Sequence, residues 1–276
     1  MIGSFDKKRS EYLDKVIFKC DHFYQGSKNE PIKSLREKFP DFKGICWFAC
    51  LVMAYQALNP KKNQVEAIND LKLIFDISKS EMINIFSKMR EEGIDTSPFW
   101  KKGQLTFIDL NQGVLKSKMA IENPEAFCEL VNFIFKQKNI NLKLNWQSFI
   151  VQFQDLQSND QKFENNIFFV RQIIKKIEEN IRNGKIVTLS LIAPPINHTV
   201  NITGVDKSGF YISDPNYSKM QYATFEKIAQ CATDGIRDKN NKIIYKLDLQ
   251  AGFFVWERRF DEDSKSIKNK FMKYFK

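Results

Sequence analysis

The chain has 276 residues, enough for one large or two small domains and for a core that needs no staples. Hydrophobic residues make up 43% and charged residues 28%, which excludes global disorder, collagen and coiled coil. Lys and Arg outnumber Asp and Glu by 43 to 33, a formal charge of +10 that suits weak contact with nucleic acid or another anionic surface as well as a plainly solvated one.

Segment 7–20 carries Tyr12, Leu13, Val16, Ile17 and Cys20 on one helical face, and a helix is expected there. In segment 46–58 only Gln56 falls outside the hydrophobic class, so this helix should be buried on every side. Asn59-Pro60 ends it. Segment 61–75 reads as an amphipathic helix. Ser78-Lys79-Ser80-Glu81 is a capping box that opens a helix ending near Gly93. Asn123-Pro124 opens another, to about Lys138. Segment 155–165 is polar and loop-like, and 166–182 is a strong amphipathic helix closed by Asn183-Gly184.

Beyond Gly184 the hydrophobic period changes from helix to strand. Strands are expected at 186–192, stopped by Pro194-Pro195, at 198–205 and at 210–213, with Lys207-Ser208-Gly209 as the turn between the last two. A short helix follows at 224–232, then one or two strands within 243–257. Helix first and sheet second is an α+β order. The expected organisation is an N-terminal helical part (1–59), a helical insert (60–182), an antiparallel sheet (183–257) and a basic tail (258–276).

Five cysteines without regular spacing argue against a disulfide framework and for a reducing, cytoplasmic setting. With two histidines and no CxxC pair, no metal site is expected. No signal-peptide core follows Met1, and no apolar run is long enough for a transmembrane segment.

Cys46 stands where a loop ending in Gly44-Ile45 meets the apolar helix. Free N–H groups at a helix start favour a thiolate, the form in which Cys is a nucleophile, and the same groups can bind an oxyanion. His198 begins a strand in which Val200 and Ile202 share its face. Pairing Val205 with Phe210 would put His198 and Asp214 on opposite faces. Matching the apolar faces, through a changed loop or a bulge near Gly209, puts them together on adjacent strands. Burial favours the second register, in which Asp214 can orient the imidazole. Asn216 has the same parity and is the fallback orienter. His22 is expected to be a surface or structural residue.

Gly44-Ile45-Cys46-Trp47-Phe48-Ala49 resembles the nucleophile motif of papain-like cysteine proteases. Asn197-His198-Thr199-Val200 through Gly204, followed by Ile212-Ser213-Asp214-Pro215, is similar to the His hairpin of their bacteriocin-processing-peptidase-like branch. The likeness spans about residues 40–58 and 183–217. It implies a papain-like fold and a catalytic Cys46, His198 and Asp214, with Trp47 and Asn216 as oxyanion or auxiliary groups. It also implies a thiol hydrolase acting on peptide or isopeptide bonds of a protein or polypeptide substrate without a cofactor, as in a viral processing protease or an effector in a host cytosol. The Gln that such enzymes often carry before the Cys is missing from Pro40-Asp41-Phe42-Lys43. Two alternatives stay open: a deamidase or transglutaminase on the same triad, and a catalytically silent fold that binds protein or nucleic acid, for instance in a virion.

Overall fold

The computed structural model describes residues 14–24, 33, 45–75, 77–101, 104–105, 108–109, 114–115, 123–148, 167–193, 198–247 and 252–259. Among these, β1 (Val16–Ile17) precedes the helices α1 (Ile45–Leu58), α2 (Gln64–Phe75) and α3 (Lys79–Glu91). Two minimal hairpins follow, β2 (Trp100–Lys101) with β3 (Gln104–Leu105) and β4 (Ile108–Asp109) with β5 (Val114–Leu115). Then come α4 (Pro124–Gln137), β6 (Lys143–Gln147) and α5 (Ile167–Arg182). The C-terminal part contains β7 (Ile186–Ile192), β8 (His198–Val205), β9 (Gly209–Ser213), β10 (Gln221–Thr224), α6 (Phe225–Thr233), β11 (Ile236–Arg237), β12 (Ile243–Leu247) and β13 (Phe253–Glu257).

One mixed arrangement of helices and a nine-stranded antiparallel sheet results. The central path is β10-β9-β8-β7-β12-β11. The other edge of β7 is shared. β12 takes its end at Leu191 and Ile192, and β13 takes Ile186 to Leu189 while pairing β6 on its far side.

The sheet separates two cores. Phe254 and Trp256 of β13 face α1–α4, whereas Phe253 and Val255 face α5 and α6. That is the period-two alternation of a strand buried on both faces. Each fully buried side chain of this size contributes about 1.5–3 kcal/mol.

Every residue of α1 from Cys46 to Leu58 is buried, as its composition requires. Its lone amide is satisfied: Gln56 Nε2 donates to Asp21 (2.6 Å) and its Oε1 accepts from the Asp21 N–H (3.2 Å). The Ser78 cap forms, its hydroxyl accepting from the Glu81 N–H, and Asn123 caps α4 in the same way.

Three departures from the sequence reading have physical causes. The described part of the expected 7–20 helix is strand at Val16–Ile17, pairing with β8 at Gly204 and Val205, beyond the reach of β7. Gly204 permits this approach, since a Cβ there would lie 2.7 Å from the Val16 carbonyl oxygen. Segment 60–182 is not wholly helical: its β6 belongs to the main sheet, anchored where Asn132 Nδ2 and Oδ1 bond both main-chain groups of Leu144 (2.7 Å each). The hairpin bulge falls at Thr203 rather than near Gly209. Val205 opposes Phe210, yet Ile202 opposes Ile212. The extra residue restores the apolar match without altering the tight turn. The expected loop at 155–165 and all but Arg258 and Arg259 of the 258–276 tail lie outside the described residues.

A buried polar chain crosses the sheet. Trp256 Nε1 donates to Thr188 Oγ1 (2.7 Å), Thr188 donates to Asn201 Oδ1 (2.5 Å), and Asn201 Nδ2 donates to the Cys50 carbonyl (2.7 Å). Replacing Asn201 by Ala leaves the Thr188 hydroxyl proton without its acceptor and the Cys50 carbonyl without this donor, so the expected loss is about 2–4 kcal/mol. Urea unfolding measures it as a lower midpoint at unchanged slope. A loss under about 0.5 kcal/mol, the scatter of ordinary surface substitutions, would show that the chain does not hold α1 in place.

Candidate active site

The sequence residues of interest come together where α1 begins and β8 begins. Cys46 is the second residue of α1, in the first turn, where unpaired N–H groups and the helix dipole favour negative charge. His198 opens β8, and Asp214 follows directly after β9. All three are nearly closed off from solvent, at 8%, 5% and 6% exposure.

His198 Nε2 lies 2.6 Å from Asp214 Oδ1. The Thr203 bulge makes this contact available by giving Ile202 and Ile212, and with them His198 and Asp214, a common parity. Nε2 has one proton to give, and the short distance assigns it to Asp214. Nδ1 is then the nitrogen left for the thiol. Burial works against the imidazolium, but hydrogen bonding to Asp214 and Cys46 and the charges of both raise His198 to about 9. Burial likewise works against the Cys46 thiolate. Hydrogen bonds with His198 and Thr199 and the imidazolium charge outweigh it, and the net displacement is downward.

The other four thiols go the other way. Burial pushes Cys20 to about 11, Cys50 well above the usual thiol range, and Cys128 and Cys231 upward. Cys50, one turn after Cys46, is fully enclosed and donates its thiol to the Thr199 carbonyl (3.4 Å).

Asn216 lies beside the pair, and Trp47 lies in the core below it. Asn216 Nδ2 is 3.2 Å from His198 Nε2, but a donor cannot bond a nitrogen whose proton already goes to Asp214. Its main-chain N–H instead donates to Asp214 Oδ1 (2.8 Å), fixing the carboxylate rather than the imidazole. The Trp47 indole packs against Phe127, Phe254 and Trp256, at 5.2–5.6 Å between ring centroids. Its side chain is therefore a core anchor for α1. Residues 40–44, which hold the segment lacking Gln, lie outside the described residues.

Two neighbours had no sequence signal. His22 Nε2 donates to the Asp214 carbonyl (3.0 Å) across 192 positions. The Tyr245 ring lies 6.1 Å from His198, brought there by β12 on the far side of β7. Among the described residues no group of three or more His, Cys, Asp or Glu could hold a metal ion, and no helix is long and apolar enough to cross a membrane.

A thiolate and an imidazolium that stabilise each other should titrate together. By proton NMR, His198 should stay protonated to about pH 9. In Asp214→Asn its midpoint should fall by at least about one pH unit, because the neutral amide removes the charge that opposes burial. An unchanged midpoint would detach Asp214 from the imidazole.

No family model matches the sequence, and no curated protein matches it. Among solved structures the chain is similar to one from Bacillus anthracis, provisionally described as a C39-like peptidase. The two are 14% identical, the match covers 90% of this chain and 99% of that one, and the TM-score is 0.41.

Proposed function

We propose that the protein is a papain-like thiol hydrolase that cleaves a peptide or isopeptide bond. One observation carries this reading: of five cysteines, the only one drawn down stands at a helix start against an imidazole whose other nitrogen is held by a buried carboxylate at 2.6 Å. That combination prepares a nucleophile, and a core cysteine has no use for it.

His198 Nδ1 takes the Cys46 proton, and the thiolate attacks the substrate carbonyl carbon. The Cys46 main-chain N–H, at the positive end of α1, donates to the developing oxyanion. As the C–N bond breaks, the imidazolium returns the proton to the leaving amine, and a thioester remains. His198 then draws a proton from water, hydroxide attacks the thioester, and the released thiol restores the starting pair. Asp214 keeps the ring in one tautomer throughout and offsets the charge that the ring acquires. Five unpaired cysteines favour a reducing, cytoplasmic setting for this chemistry.

The test is hydrolysis of a diverse peptide library and of ubiquitin-type isopeptide conjugates, read by mass spectrometry. Wild type should cleave, Cys46→Ala should not, and His198→Ala should lose about a hundred- to ten-thousand-fold. Cleavage that survives Cys46→Ala would overturn the assignment. So would a wild-type Cys46 that iodoacetamide labels no faster than an ordinary thiol at about pH 7.

A further inference from the structure

Thr199 follows His198 on β8, and its surroundings are unusual for a strand residue. Asn201 pairs with Ser213 across the hairpin. Continuing that register would oppose Thr199 to Pro215, which has no N–H to offer, so the β9 ladder stops short of it. The β9-facing edge of Thr199 is therefore open, and α1 fills the gap. Its carbonyl accepts the Cys50 thiol proton (3.4 Å). In an antiparallel strand the N–H of a residue points to the same side as its carbonyl. The Thr199 N–H is thus also aimed toward α1.

The spacing of the two elements extends this match. Asn201 bonds the Cys50 carbonyl. Two residues back along a strand is about 6.6 Å. Four residues back along a helix is about 6 Å. Stepping from Asn201 to Thr199 and from Cys50 to Cys46 therefore keeps strand and helix in step, and it puts Thr199 beside the Cys46 sulfur. Thr199 and Asn201 also share a face, so the Thr199 side chain is directed at α1 as well. Its hydroxyl is buried and meets no partner at full hydrogen-bond geometry, and the acceptors within its reach are the Cys46 and Cys50 sulfurs. A buried hydroxyl so weakly bonded carries a cost, and a thiolate beside it is a strong acceptor that would remove that cost.

We propose that Thr199 is a positioning residue for the Cys46 thiolate, its hydroxyl and main-chain N–H donating to the sulfur from the open edge of β8. The inference rests on the thiol-hydrolase reading and adds a third and fourth donor to the imidazole and the helix start. It also gives the buried hydroxyl a function: it is weakly bonded beside the neutral thiol and fully satisfied by the ion. The arrangement accords with the downward displacement of Cys46 despite burial.

The experiment is site-resolved iodoacetamide labelling of the full chain between about pH 5 and pH 9, in wild type, Thr199→Val, Thr199→Ala and Thr199→Ser. Val keeps the shape and the strand preference and removes only the donor. The acid limb of Cys46 labelling should move up by about one pH unit in the Val and Ala variants, the size expected for one hydrogen bond to a charged group. Labelling at about pH 6 should slow about tenfold, and Thr199→Ser should restore most of the rate. Val and Ala profiles that overlay a low-lying wild-type limb would overturn the role of Thr199 and leave the hydrolase reading intact. A Ser variant that behaves like Val would also overturn it, since shape rather than the hydroxyl would then matter. A wild-type limb at the ordinary thiol position would instead sink the hydrolase reading beneath it.

Discussion

The hydrogen bond from Asn201 to the Cys50 carbonyl fixes where a helix sits along a strand. Apolar packing alone would not do so. The α1 surface is apolar nearly all round, and a greasy cylinder can slide or turn against a sheet at small cost. A fully buried amide cannot, because any displacement leaves it unpaired. Thr188 and Trp256 extend the constraint across β7 to β13, so the position of α1 is tied to three strands at once. Buried polar groups commonly add little net stability, and their value lies in excluding alternative packings.

Two halves of the site are thereby brought together from distant parts of the chain. The helix contributes Cys46, and the hairpin contributes His198 and Asp214. The segment around β1 closes the junction from outside. It pairs with β8 at Gly204, its Phe18 N–H reaches the Thr203 carbonyl (2.8 Å), Asp21 holds Gln56 of α1, and His22 holds the Asp214 carbonyl. One short stretch thus touches the bulge, α1 and the carboxylate residue.

Much of this was legible in the sequence where a local signal was strong. The all-apolar run at 46–58, the caps at Ser78 and Asn123 and the strand at 186–192 each follow from local physics, and the elements form at those places. The shared face of His198 and Asp214 could be argued from the apolar pattern, because burial of Ile202 and Ile212 drags the polar residues with it. The position of the bulge could not, since either Thr203 or the turn would correct the parity. β6 was hidden because Lys143-Leu144-Asn145-Trp146-Gln147 is half polar and gains its strand character from pairing with β13. His22 and Tyr245 were out of reach for a related reason: their proximity is made by sheet order, and no spacing along the chain encodes it.

Burial is the largest influence on both Cys46 and His198, and in each case it opposes the charged form. The opposing influences are hydrogen bonds and charge: Asp214 and Cys46 raise the imidazole, and His198 and Thr199 lower the thiol. The imidazolium charge draws the thiol down and the thiolate charge draws the imidazole up, so the two charged forms support each other. Such an arrangement makes the charge on Cys46 depend on an intact hairpin. Any shift of β9 that lengthens the His198–Asp214 contact lets burial win on both groups together, returning the site to a neutral thiol and a neutral imidazole. The main-chain bonds on Asp214, from Asn216 to its carboxylate and from His22 to its carbonyl, resist that shift, and so they act on the sulfur without touching it.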